Sequence, residues 1–284
     1  MPIMERSRFA IDTTALAGAL EDKLAAIAEA GFSAVTLSAK DLVGEQTGGL
    51  EQAVRRVRDS QLAVSGFLAL RDFEGLGGRF LDYKVDIAKS MLRMAQQTGA
   101  DLLLVSSTTS PQASGDLDTI VQHLQLLSAL ATPLGLRIGY EPLAWGRHVT
   151  DYPSAWQMIE RVDRENVGLV LDSFHLFARG MQPDDLKAIP PERLFLVQLS
   201  DAMYDYVPAL DEMVELSLHH RFFPGEGEHS RALVELVGRL EAGGYRGRYA
   251  FEVANDDYQH CPPSLVLQRA GQAVEWLSSQ LQSG

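Results

Sequence analysis

The chain has 284 residues, 46% hydrophobic and 22% charged, the balance of a globular protein rather than a disordered or fibrous one. Its formal net charge of -13 argues against nucleic-acid or anionic-membrane partners, and it means that an anionic substrate needs cations gathered locally in a pocket. The single cysteine, Cys261, excludes an intrachain disulfide. No window approaches the ~18 apolar residues of a membrane helix, and no long apolar run follows Arg6 and Arg8, so a cytoplasmic protein is expected.

Taken in chain order, short apolar runs alternate with amphipathic ones. Phe9 to Ile11 opens a first strand, and Leu20, Leu24, Ile27 and Ala28 set helical spacing over Leu20 to Ala30, ending at Gly31. Ala34 to Leu37 reads as a second strand, Leu50 to Ser60 as a basic-faced helix and Leu62 to Leu70 as a third strand. Phe80 to Thr98 predicts a long helix stopped by Gly99. Leu102 to Val105 is continuously apolar, as in a strand covered on both faces. Asp116 to Thr132 is helical, Leu136 to Glu141 a fifth strand, Ser154 to Val162 helical and Val167 to Leu171 a sixth strand. Leu194 to Leu199 is a seventh strand, Ala232 to Ala242 a helix before Gly243-Gly244, Tyr249 to Val253 an eighth strand and Ser264 to Leu281 a closing helix. The irregular stretches are Gly44 to Gly49, Leu70 to Gly78 and Tyr204 to His229, the last expected to be an elaborated loop over a barrel mouth.

Eight strands alternating with helices predict an α/β fold, a (β/α)8 barrel, as a single catalytic domain over residues 1–284; such barrels need ~250 residues. A doubly wound open sheet is the competing architecture, but no Gly-rich phosphate fingerprint follows any strand.

Barrels of this kind carry their chemistry at the C-terminal ends of the strands. Strand five ends in Glu141, strand six leads to Asp172, strand seven ends near Gln198, two residues before Ser200-Asp201, and strand eight carries Glu252. Any one of these could equally cap a helix or pair with an arginine. Three carboxylates and an amide oxygen at one mouth, however, repel one another unless a cation lies between them. Hard oxygen donors favour Mg²⁺ or Mn²⁺ over Zn²⁺ and suit Co²⁺ as well.

Two histidines lie close in sequence to these acids, His148 after strand five and His175 after Asp172. Either is a candidate for removing a proton α to a carbonyl, or a satisfied structural histidine. His219 and His220 read as loop residues, and His123, His229 and His260 have no supporting context. Arg71 and Arg221 are candidate bidentate clamps for a substrate carboxylate, although Arg71 could instead pair with Asp72 or Glu74. Trp145 and Phe174 are candidates for an apolar wall or for core packing. The apolar final helix leaves a homo-oligomer open.

The phrases Ile138-Gly139-Tyr140-Glu141, Leu171-Asp172-Ser173-Phe174-His175, Val197-Gln198-Leu199-Ser200-Asp201, Pro224-Gly225-Glu226-Gly227-Glu228 and Phe251-Glu252-Val253 resemble the xylose isomerase-like TIM barrel superfamily of sugar-phosphate isomerases and epimerases. Within it, the chain resembles bacterial 3-dehydroshikimate dehydratases more closely. That likeness rests on Arg71-Asp72-Phe73-Glu74-Gly75, on Leu143-Ala144-Trp145-Gly146-Arg147-His148, on the run Arg221 to Glu228, and on Glu252 with Asn255-Asp256. The Ala-Trp-Gly-Arg-His run is the most specific of these.

The resemblance implies a metal-dependent dehydration of 3-dehydroshikimate to protocatechuate through an enolate, as in quinate or shikimate catabolism. It makes Glu141, Asp172, Gln198 and Glu252 the metal ligands, His175 and His148 the proton-transfer candidates, and Arg71, Arg221 and Trp145 the substrate contacts. Some such dehydratases are a barrel alone and others carry a dioxygenase-like second domain; the former is expected here. One phrase departs. After strand two such dehydratases carry a Glu-rich segment, where this chain reads Thr36-Leu37-Ser38-Ala39-Lys40-Asp41-Leu42, losing two acids and gaining a lysine. Lys40 is either a solvated loop residue or one that reaches the pocket. The alternative activity is a divalent-metal-dependent isomerase or epimerase of a sugar or keto acid, such as a hydroxypyruvate isomerase. A further alternative is a non-catalytic ligand-binding barrel.

Overall fold

A computed structural model describes residues 4–44 and 48–283. Its eight strands are β1 (Phe9–Asp12), β2 (Ala34–Ser38), β3 (Ala63–Leu70), β4 (Leu102–Ser106), β5 (Arg137–Glu141), β6 (Val167–Asp172), β7 (Leu194–Leu199) and β8 (Tyr249–Phe251). They run parallel in sequence order and close into a barrel, with Phe9 of β1 opposite Tyr249 of β8 and Ile11 opposite Phe251. Every residue of β4, β6 and β7 is buried, which explains why these strands read as unbroken apolar runs rather than alternating ones.

Alternation survives as a division between two cores. Leu102 and Leu104 join Ala10, Ala34, Leu196 and Ala250 in one cluster, while Leu103 and Val105 join the much larger cluster that also holds the buried helix residues. The first fills the barrel lumen; the second seals the strands against the surrounding helices.

The helices are α1 (Leu20–Glu29), α2 (Ala39–Val43), α3 (Leu50–Asp59), α4 (Gly78–Thr98), α5 (Leu117–Ala131), α6 (Tyr152–Val162), α7 (Ser173–Ala178), α8 (Leu210–His219), α9 (Ser230–Ala242) and α10 (Pro263–Ser283). Their ends follow local chemistry. Asp116 caps α5 by accepting from the Thr119 N–H, and Asp151 caps α6 by accepting from that of Ser154. α4 stops at Gly99, whose φ of 81° suits only the left-handed region.

The expected (β/α)8 architecture is therefore present, with differences at the edges. Three short helices, α2, α7 and α8, occupy stretches that did not read as helix. α8 lies inside the segment expected to be a loop, where the buried pair Met213 and Ser217 gives it one anchored face. β8 ends at Phe251, so Glu252 follows the strand rather than lying within it. Of the irregular stretch at 44–49, residues 45–47 lie outside the described residues. The apolar side of α10, including Val266, Ala270, Val274 and Leu277, is buried, and the helix packs on α1 and α9 of its own barrel. Among the described residues no helix is long and apolar enough to cross a membrane.

Candidate metal centre

A cavity of about 730 Å³ opens at the C-terminal ends of the strands, lined among others by Asp12, Lys40, Arg71, Glu141, Trp145, His175, Arg221 and Glu252. A second depression, of about 590 Å³, lies at the opposite end of the barrel around Arg137, Glu192 and Arg248. It lies at the end of the barrel where such folds do not place their chemistry.

β5 to β8 deliver the candidate ligands. Glu141 is the last residue of β5 and accepts from Ser106 Oγ, 3.0 Å away on β4. Asp172 ends β6 fully buried. Its backbone is fixed by the Tyr152 hydroxyl, which accepts from the Asp172 N–H at 2.7 Å. One carboxylate oxygen caps α7 by accepting from the Phe174 N–H at 2.8 Å, and the other accepts from Arg221 Nη1 at 2.8 Å. Gln198 pairs in register with Asp172 across the β6–β7 ladder. Glu252, just past β8, accepts from Arg221 at 3.2 Å. Ligand atoms of Glu141, Asp172 and His175 all lie within 4.8 Å of one another.

Two features test whether this group suits a cation. Neither polar atom of the Gln198 amide has a hydrogen-bond partner, although both are buried. A buried polar group left unpaired calls for an explanation, and a metal ion accepting the amide oxygen supplies one. The second is the state of the acids. Burial, reinforced by repulsion from Asp172, pushes the Glu141 carboxyl well above its ordinary range. Burial likewise pushes Glu252 up, against the pull of Arg221. Burial thus favours the protonated forms of these two acids, and a hard divalent cation, which the oxygen donors of Glu141, Asp172, Gln198 and Glu252 fit, would take the place of those protons.

Arg221 is held mainly by the protein's own groups. Nε donates to the Ser217 carbonyl, Nη2 to Ser217 Oγ and Nη1 to Asp172 and Glu252, while the guanidinium lies 4.6 Å from the Phe174 ring. Burial opposes its charge, yet Asp172 and Glu252 outweigh burial and hold it firmly protonated. The structure therefore makes Arg221 the counter-ion of the carboxylates rather than an open clamp for a substrate.

Arg71 is placed differently. The acids expected to pair with it are occupied elsewhere. Asp72 accepts from Thr109 N and from the Thr108 and Thr109 hydroxyls, and Glu74 accepts from Thr108 N and Tyr140 Oη. These bonds tie the β3–α4 loop to the β4–α5 loop and leave the Arg71 guanidinium, on the cavity wall, without a hydrogen bond or ion pair among the described residues.

The two candidate histidines part company. His175 is buried in the cavity wall, with Nε2 3.5 Å from Asp172. Burial lowers its pKa to about 4, so the ring is neutral. Its Nδ1 accepts from the Ala144 N–H at 3.2 Å, which places the ring proton on Nε2. His175 therefore presents an N–H to the site, the donor half of the role expected of a histidine. His148 is exposed, does not line the cavity and bonds through Nε2 to the Ala113 carbonyl at 2.9 Å. The structure does not bring it to the carboxylates.

The Ala-Trp-Gly run now has a physical account. Ala144 orients the His175 ring, and Trp145 meets that ring edge-on at 4.9 Å. At Gly146 an added Cβ would lie 2.5 Å from the Val149 carbonyl and 2.6 Å from Ser107 Oγ, so only glycine lets the loop close over them. Phe174 belongs to a small buried cluster with Ala144, Ala178 and Tyr204 instead of forming an open wall.

Sequence reasoning missed Asp12. It ends β1 fully buried, lines the cavity, and burial raises its pKa to about 6; one carboxylate oxygen has no partner. Its signal was the one used for Glu141, a polar residue closing an apolar strand. Asp201, within one of the family-like phrases, is structural: it accepts from the N–H groups of Gly225 and His229 and from Ser230 Oγ, tying down the loop before α9.

Fold and site together define a parallel (β/α)8 barrel with a cluster of acids at its C-terminal mouth that could hold a metal ion. The chain belongs to the xylose isomerase-like TIM barrel family, whose model matches residues 24–280. It is 38% identical to the 3-dehydroshikimate dehydratases of Pseudomonas putida, over 259 residues, and of Pseudomonas aeruginosa, over 260. Each match takes in 91% of this chain but only 39% of the relative, so the chain spans well under half the length of these proteins. Among solved structures it is similar to a xylose isomerase-like TIM barrel/4-hydroxyphenylpyruvate dioxygenase fusion protein, at a TM-score of 0.89 and 35% identity, over 98% of this chain and 43% of the other.

Proposed function

We propose that this barrel is a hydro-lyase that converts 3-dehydroshikimate to protocatechuate with the help of one divalent metal ion, a step of quinate or shikimate catabolism. The observation that carries this reading is the opposition, within one cavity, of Glu141 and Glu252, with the buried Asp172 and Gln198 paired beside them on β6 and β7, and the unpaired guanidinium of Arg71. The first suits a polarised ketone and the second a carboxylate. The 38% identity to dehydratases of this substrate over nearly the whole chain supports it.

Glu141, Asp172, Gln198 and Glu252 would hold the ion, and their oxygen donors favour Mg²⁺ or Mn²⁺. When bound, such an ion supplies Lewis acidity toward a substrate oxygen. The protein's own groups do the rest. Arg71 receives the carboxylate as a planar two-point donor and so fixes the ring's orientation. His175, kept neutral by burial, donates its Nε2 proton as a hydrogen bond to an oxygen on which charge grows as the α-carbon loses its proton, the use made of neutral histidines elsewhere in barrel chemistry. Trp145 backs the His175 ring edge-on. The proton taken from the α-carbon is returned to the β-hydroxyl, which leaves as water with its C–O bond electrons, so the elimination needs no net proton; the ring gains the double bond that, after enolisation, makes it aromatic.

The alternative of a neutral-sugar isomerase uses the same cluster but has no use for Arg71. Arg71→Ala discriminates: with 3-dehydroshikimate it should cut kcat/KM by ~10²-fold, the size of one lost charge-assisted contact of ~3 kcal/mol. Turnover of neutral keto-sugars by the native protein, undiminished in the variant, would overturn the dehydratase reading.

A further inference from the structure

We propose that Lys40 is a second anchor for the substrate's carboxylate, acting with Arg71 to set specificity for anionic over neutral ring substrates. The inference rests on the dehydratase reading and adds to it a residue outside the motifs that led there.

The cavity is lined by the acids Asp12, Asp72, Glu141, Glu252 and Asp256 in a protein of net charge -13, so an anionic ligand enters against a repulsive field. Three cations line the same cavity: Lys40, Arg71 and Arg221. The charge of Arg221 is offset by Asp172 and Glu252, 2.8 and 3.2 Å away. What is left to meet an anion is Lys40 and Arg71.

Topology places these two side by side. Lys40 lies just past the end of β2 and Arg71 just past the end of β3, and the two strands pair in parallel with Ser38 opposite Leu68. The metal-ligand candidates belong to β5 through β8. The two free cations therefore lie over β2 and β3, where the neighbouring Asp72 is taken up by Thr108 and Thr109, and the candidate metal ligands lie over β5 to β8. A ring with a carboxylate at one end and a carbonyl and hydroxyls at the other matches that arrangement in only one orientation.

Local structure does not otherwise account for the lysine. It is the second residue of α2, a helix of only five residues whose dipole offers a cation little. The acid nearest in sequence, Asp41, is already used: it accepts from Thr13 Oγ1 and the Ser38 N–H and pairs with Lys23 at 3.4 Å. Among the described residues the Lys40 ammonium has no hydrogen bond or ion pair. The backbone beneath it is fixed, because Ser38 Oγ accepts from the Lys40 N–H and Asp41 completes a capping box. A long stem on a fixed base, beside Arg71 and facing the cavity, suits a point-charge contact that complements a planar one.

The test compares binding of protocatechuate and catechol, which differ only in the carboxylate, to Mn²⁺-loaded native protein, Lys40→Met and Lys40→Arg by calorimetry, with steady-state kinetics on 3-dehydroshikimate alongside. Protocatechuate should bind native protein more tightly than catechol. Lys40→Met should weaken protocatechuate roughly tenfold, as expected for one charge-assisted contact, and leave catechol unchanged, while Lys40→Arg restores most of the difference. In kinetics KM should rise with kcat within about twofold. Equal affinities for the two probes in native protein, or a ratio unmoved in Lys40→Met, would overturn the proposal. Loss of turnover on 3-dehydroshikimate in every form, with the probe ratio still dependent on residue 40, would instead overturn the dehydratase reading and leave the anion anchor standing.

Discussion

Replacing Arg221 with methionine keeps most of the apolar stem and removes the one guanidinium that touches both Asp172, at 2.8 Å, and Glu252, at 3.2 Å. Asp172 is fully buried and Arg221 nearly so, so the carboxylate left behind cannot hydrate. Breaking one side of a buried pair costs about 3–5 kcal/mol. At an unfolding entropy of roughly 2.1 cal/mol/K per residue, a chain of 284 residues converts that into a Tm loss of about 5–8 °C. The loss should grow as pH rises past about 8, because Glu141 and Glu252, whose carboxyls are raised by burial, then ionise beside Arg221 in native protein but have no cation to offset them in the variant. A divalent ion among the same acids replaces the missing charge, so saturating Mn²⁺ should return most of the lost Tm. Thermal melts of both proteins, in chelator and in Mn²⁺, measure all three effects. A variant that melts within about 1 °C of native protein in chelator would refute the view that Arg221 is the counter-ion of this cluster.

Two further predictions follow from the buried acids. Glu141 and Glu252 hold protons above their ordinary range in the ion-free protein, and an ion binds the ionised forms, so its binding should release protons and tighten as pH rises. Calorimetry in buffers of different ionisation enthalpy reads the number, and zero release or net uptake would contradict the charge state assigned here. Glu74 concerns stability instead: burial, partly offset by bonds from Thr108 and Tyr140, raises its pKa to about 7. A raised carboxyl stabilises the fold fully below the unfolded pKa of about 4.5 and loses that contribution as pH rises toward 7. Denaturant titrations should therefore show native protein losing up to about 1.4 kcal/mol per pH unit over that window relative to Glu74→Gln; parallel pH profiles would place the proton elsewhere.

The barrel was legible because its strands carry their own signature. β4, β6 and β7 are buried on both faces and so are apolar throughout, and a polar residue at the end of such a run marks the mouth; that rule found Glu141, Asp172 and Gln198. Applied to Phe9–Asp12 it would also have found Asp12. What it could not read was partnership. Arg71 and Arg221 look alike in sequence, yet Ser217, Asp172 and Glu252 absorb one while Thr108, Thr109 and Tyr140 occupy the acids that might have absorbed the other. His148 and His175 flank the same motifs, but only the second is turned inward, by a backbone N–H from Ala144. The short helices α2, α7 and α8 escaped because too few residues repeat in five to ten positions to establish a period. Their caps, Ser38 for α2 and Asp172 for α7, are residues whose main interest lay elsewhere.

The central claim is that these residues use a bound divalent ion to dehydrate 3-dehydroshikimate, and the most direct test is to follow the absorbance of protocatechuate after mixing that substrate with Mn²⁺- or Mg²⁺-loaded protein, with a chelator-treated sample in parallel. Formation of protocatechuate in the loaded sample alone, lost again in Glu252→Gln, is the predicted result. Absence of product from protein shown to have bound its ion, or full activity in chelator, would contradict the account.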